Sequence, residues 1–328
     1  MAAGIEEKDG MMYTGETPWH KLGVKLNNPA TAAEAIAAAG LDWEVGRQPV
    51  FIGSGLESQF NQDFVEIPNK TAIVREDTGE AFAVMGGNYQ PVQNTEAFRF
   101  FDEMVGLGEA IYHTAGSLYN GRRVWILAKL PEDIEVVPGD PINQYILLMN
   151  SHDGSLAMRV INTPIRVVCA NTLSMALRAN GGFYAKHTRN ILTRASEARN
   201  LLNLANAYYD TLGKQIDRLV HTRMTELETA DYIKNVYSFK QGESYDVQDY
   251  RSRNSYTATL ELLNHPTNTL GGIQGTQYAA FNAVTYYIDH LRPVKGGKDE
   301  DSKRLDGSWF GSGARLRQRA SDLLTVSK

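Results

Sequence analysis

The sequence predicts an α+β protein: a largely antiparallel sheet of about six strands with packed helices, followed by a mostly helical C-terminal region. Three observations predict it. In the first half, short β-prone runs are joined by Asn-Gly and Asp-Gly turns, the strongest local hairpin signals. The central runs are too apolar for a sheet with one wet face, so that sheet is expected to be covered. After Asn180-Gly181-Gly182 the apolar residues recur every three or four positions, the helical period. This shift sets a boundary near residue 182. It divides an α+β part (1–182) from a mostly helical part (183–328) packed on it, and the two also read as one continuous domain.

The elements follow in order. In TAAEAIAAAG (31–40) Thr31 is a candidate N-cap, Gly40 a candidate terminator, and the alanines between favour helix. LDWEVGRQPVFI (41–52) reads as a strand, and KTAIVRED-TGE-AFAVMG as a hairpin. Asn94 is a candidate N-cap for a helix whose Phe98, Phe101, Met104 and Val105 form one apolar stripe. The Asn120-Gly121 pair turns the next hairpin, and Asp153-Gly154 the one after it. Beyond residue 188, TRNILTRASEARNLLNLANAYYDTLGKQIDRLV predicts a long helix. Shorter helices are expected at TADYIKNVY, 246–263 and TQYAAFNAVTYYIDHL, and a last one at ARLRQRASDLLTVSK.

Composition removes several function classes. No run of about 18 apolar residues exists, so no membrane partner is expected. The acidic N-terminus lacks the basic and apolar regions of a secretion signal. One cysteine, Cys169, makes no intrachain disulfide and no structural zinc site, so a cytoplasmic setting is expected. The seven histidines form no metal-binding spacing, and no metal or cofactor is expected. His152-Asp153 is explained by its turn, and Asp289-His290 are neighbours that face different sides of a helix. Apolar neighbours suggest that Cys169 packs as a small hydrophobe, so no catalytic residue is assigned.

The net charge is −5, yet its distribution is uneven. Residues 159–199 carry seven Lys or Arg against the single acid Glu197, a local +6 in a chain whose remainder sums to −11. Within that stretch Arg166 sits inside an apolar strand, where it needs either a buried acceptor or an open groove. Arg159, Arg166, Arg178, Lys186, His187, Arg189 and Arg194 are the candidate phosphate contacts, and Phe183 and Tyr184 the candidate stacking faces. Trp125 and Tyr145 are candidates to stand near them. Arg315, Arg317 and Arg319 of the last helix spread around its surface, with solvent exposure as their default.

Six blocks, PWHKLG (18–23), GNYQPVQN (87–94), TPIRVVCANTLSMAL (163–177), KHTRN (186–190), GTQYAAFNAVTYYIDH (275–290) and WFGSGARLRQRA (309–320), resemble the phage/plasmid-like protein family known as domain of unknown function 932. The resemblance runs from about residue 11 to 325 and implies an association with phages, plasmids and other mobile elements. It transfers no catalytic residues. The order of hairpins and helix, with a basic strand-to-helix corner, is similar to phage single-strand annealing proteins, an analogy of element order alone. The expected function is nucleic-acid binding by a homo-oligomer, with single-stranded DNA in recombination as the expected partner. The alternatives are a counter-defence factor or enzyme that clamps a nucleotide through the same arginines, and a structural oligomer.

Overall fold

The computed structural model describes residues 10–15, 23–27, 30–53, 64–105, 110–166, 171–172, 183–185, 198–294, 303, 307–308 and 311–325. For 100, 103–105, 166, 171–172, 183–185 and 198–202 it describes the backbone alone. The fold is α+β, with helices concentrated in the C-terminal half.

Two short strands, β1 (Met11–Thr14) and β2 (Val24–Leu26), precede helix α1 (Ala32–Ala38). Thr31 caps α1 in a reciprocal capping box with Glu34, and Gly40 follows the helix at φ +60°. Strands β3 (Val45–Gly53), β4 (Phe64–Arg75) and β5 (Ala81–Gly86) form a separate three-stranded antiparallel sheet. Helix α2 (Asn94–Val105) follows, but the Asn94 side chain is not its cap. Its amide donates to the Leu41 carbonyl at 3.0 Å and its oxygen meets His152 Nε2, also at 3.0 Å.

The principal sheet has nine strands, more than the six or so expected. Strands β6 (Ile111–Leu118), β7 (Arg123–Glu135) and β8 (Pro141–Ser151) are its centre. The β6–β7 turn takes Tyr119, Asn120 and Gly121 through positive φ, the geometry for which an Asn-Gly pair is suited. Outside β8 lie β9 (Met158–Asn162), β10 (Ile165–Arg166), β11 (Asn171–Thr172) and β12 (Phe183–Ala185). Every pairing is antiparallel except β1 with β2.

Both faces of the central strands are buried, because their two alternating residue sets enter two cores. Val124, Ile126 and Ala128 of β7 join the main core, while Trp125 and Leu127 join a second one. The main core spans residue 182: it unites Tyr112, Ile146 and Leu148 of the sheet with Leu212 of α3 (Ala198–His221), Phe281 of α6 and Leu324 of α7. Each such side chain, fully withdrawn from water, stabilises by about 1.5–3 kcal/mol.

Helices α4 (Glu226–Val236), α5 (Tyr250–Leu262) and α6 (Gln277–Tyr286) start at side-chain caps from Thr225, Asp249 and Thr276. A π-helical turn, Tyr287–Leu291, extends α6, and α7 (Ser312–Thr325) packs beside it. Arg317 of α7 is not solvated, contrary to the expectation for that helix. It is 1% exposed, and Nη2 lies 2.6 Å from Asp289 Oδ1 on the π turn. Its guanidinium also donates to the Ser308 carbonyl at 3.0 Å and hydroxyl at 2.8 Å. The fold brings Asp289 to it across 28 residues, a pairing no local spacing signals.

Candidate nucleic-acid interface

The basic segment begins on β9, and the sheet determines what its first members can reach. β9 and β10 both pair with β8, in one unbroken register. Met149 stands opposite Arg159, Ile146 opposite Asn162, Asn143 opposite Ile165 and Ile142 opposite Arg166. Between the two segments the Thr163 N–H still donates to the Tyr145 carbonyl at 2.9 Å. Pro164 has no N–H, so it interrupts the ladder without displacing it. Residues 158–166 therefore form one strand in two ladder segments.

β12 adds outside β9, with Tyr184 opposite Arg159, and β11 adds outside β10, with Asn171 opposite Arg166. Trp125, Met149, Arg159 and Tyr184 thus occupy one row across four strands. The sequence offered Trp125 and Tyr145 as neighbours of the basic segment, and both are close to it in the sheet. Neither offers a ring to an incoming base, however, because each is only 3% exposed.

Arg159 and Arg166 are seven residues apart, an odd number, so the two positions belong to opposite faces of the sheet. Ile161 and Ile165 pack on the second core, which is the Arg159 face. Arg166 is opposite Ile142, a fully buried residue of the main core. At about 3.3 Å per residue the two arginine positions lie about 23 Å apart. Arg178, Lys186, His187, Arg189 and Arg194 lie outside the described residues, as does Cys169. Phe183 and Tyr184 are placed by their backbone pairing with Val160 and Arg159.

A polar cluster closes one end of the Arg159 face. The β6 strand bulges between Tyr112 and Thr114, and the extra residue is His113. Its Nε2 lies 3.5 Å from the Tyr145 hydroxyl, which accepts a hydrogen bond from Asn143 Nδ2 at 3.2 Å. Lys129, opposite Tyr145, reaches Asp133 at 3.4 Å. Burial, and secondarily the Lys129 ammonium, hold the His113 imidazole down to about 4, so it is neutral at pH 7. The other end carries Arg123, which donates to Ser155 Oγ at 3.1 Å and lies over the Tyr119 ring at 5.5 Å.

These residues escaped sequence reasoning because they come from three strands and share no spacing. One further tie fixes the edge to the helical half. The Tyr209 hydroxyl of α3 donates to the Tyr145 carbonyl at 2.6 Å and accepts from the Tyr145 N–H at 2.9 Å. Burial raises the Tyr209 phenol well above its ordinary value, so it stays protonated for both bonds. His152, assigned to a turn by its sequence, is fully buried: its ring stacks on Phe82 and meets Trp43 edge-on. Among the described residues no three His, Cys, Asp or Glu side chains gather as a metal site, and no helix is long and apolar enough to cross a membrane.

A family model described as domain of unknown function (DUF932) matches residues 81–309. The chain belongs to the DUF932 family. The match takes in the whole arginine-bearing edge from β9 to β12 and the α6 helix, and ends before α7. No curated protein and no solved structure matches this DUF932 chain.

Proposed function

We propose that this DUF932 protein binds nucleic acid without catalysing chemistry, and that it does so as a homo-oligomer of mobile-element origin acting on single-stranded DNA. The observation that supports this is the separation of Arg159 and Arg166 along one continuous strand near the sheet edge. Two cationic positions about 23 Å apart on opposite faces are too distant to clamp one mononucleotide. A polymer running along the edge meets both. The local charge of +6 over 159–199 supplies the attraction that the chain's net charge of −5 does not.

Fluorescence anisotropy with labelled single-stranded DNA across a salt series tests this. Binding is expected at low salt, weakening steeply as counterion release demands. Arg159→Ala and Arg166→Ala are each expected to lower the salt slope by about 1. No binding at low salt would sink the proposal. Equal competition by a mononucleotide would favour a small phosphate ligand instead.

A further inference from the structure

The three-stranded sheet β3–β4–β5 turns one face to the main core and leaves the other open. Odd-numbered β4 residues such as Ile73 enter the core, so the even-numbered set, Phe64, Glu66, Pro68, Lys70 and Ala72, makes up the outward face. Val84 of β5 is opposite Ala72 and Phe51 of β3 is opposite Glu66, both on this same face. Phe64, Val84 and Phe51 are 63%, 55% and 50% exposed. Such a run of apolar side chains in water marks an interaction surface.

We propose that this face is the contact between two copies of the chain, related by a two-fold axis at Pro68. The order of residues along β4 is self-complementary about that point. Glu66 and Lys70 lie two residues to either side, so an antiparallel stack sets Glu66 of one copy against Lys70 of the other, twice. Phe64 and Ala72 lie four residues to either side, so a large ring meets the smallest side chain of the row, beside Val84. An isologous contact requires this reciprocity of residue i with residue j. Two sheets packed face to face at about 10 Å have room for it.

Other occupants fit less well. Pro49 and Pro68 sit on the outer strands, where a missing N–H obstructs strand addition by an extended peptide. A net charge of −5 disfavours an anionic membrane surface. From Phe64 to Ala72 the face is about 27 Å long and about 10 Å wide, near the small end of specific interfaces, so the dimer is expected to be micromolar.

The proposal deepens the homo-oligomer part of the function proposed above, and its test reads mass, not DNA binding. Failure of either therefore leaves the other standing. Sedimentation velocity up to about 200 μM is expected to show a monomer–dimer equilibrium. Lys70→Glu, which opposes two acids twice, is expected to weaken the dimer at least about tenfold. The double exchange Glu66→Lys with Lys70→Glu restores complementarity and is expected to restore the dimer. A short bismaleimide is expected to join two copies of Pro68→Cys above the wild-type background from Cys169. A wild-type chain that stays monomeric, a Lys70→Glu dimer of unchanged strength, an unrescued double variant, or absent cross-linking at position 68 would each overturn the contact.

Discussion

Replacing Arg317 by alanine removes the cation from a buried pair. Arg317 is 1% exposed and Asp289 8%, so almost no water is present to screen the carboxylate left behind. Ser308 loses guanidinium donors at its carbonyl and its hydroxyl at the same time. Breaking one side of such a pair costs about 3–5 kcal/mol, chiefly as the penalty of the stranded charge. Alanine is the best helix former, so helix propensity in α7 does not add to the loss. At about 2 °C per kcal/mol for a chain of this size, the melting temperature is expected to fall by about 6–10 °C. Calorimetry or circular dichroism at pH 7 measures it. The double variant Arg317→Met with Asp289→Leu removes both charges at similar volume and is expected to melt within a few degrees of wild type. A drop below about 2 °C in the single variant, or a double variant as unstable as the single, would refute the reasoning.

Two other perturbations probe the sheet. In the folded chain His113 takes up its proton only near pH 4, whereas unfolded it titrates near the ordinary value of 6.5. Between those limits the unfolded state binds the extra proton, so stability falls as pH drops through this window, by on the order of 3 kcal/mol in all. His113→Gln is expected to flatten the melting temperature between pH 6.5 and 4.5, and parallel curves for the two proteins would count against the assignment. Tyr209→Phe leaves the Tyr145 N–H without its partner, at a cost of about 1–3 kcal/mol. Hydrogen exchange is expected to show the Tyr145 amide losing protection first, and unchanged protection there would contradict the tie between α3 and β8.

Much of the architecture is legible in short stretches. Thr31 and Glu34 are three residues apart, and so are Thr225 and Glu228; each pair closes its capping box from that spacing alone. Asn120-Gly121 and Asp153-Gly154 mark their hairpins through backbone angles that few residues adopt. The candidate site is less legible. Pro164 reads as the end of a strand, yet the register continues across it to Arg166. Asn94 reads as a cap, but its side chain is drawn to Leu41 and His152, more than fifty residues away in either direction.

By itself the sequence determined the fold class, the turns, the caps, the family and the concentration of positive charge between Arg159 and Arg199. Each of these depends on composition or on contacts within about four residues. Only the tertiary structure decided that Arg159 and Arg166 occupy opposite faces and that Arg317 is buried against Asp289. It also decided that Trp125 and Tyr145 are closed to a ligand, and that Phe64 and Val84 stay in water. The physical reason is common to all four. Burial and charge pairing are settled by which strands and helices meet, and those partners are chosen by the whole core rather than by the neighbouring residues.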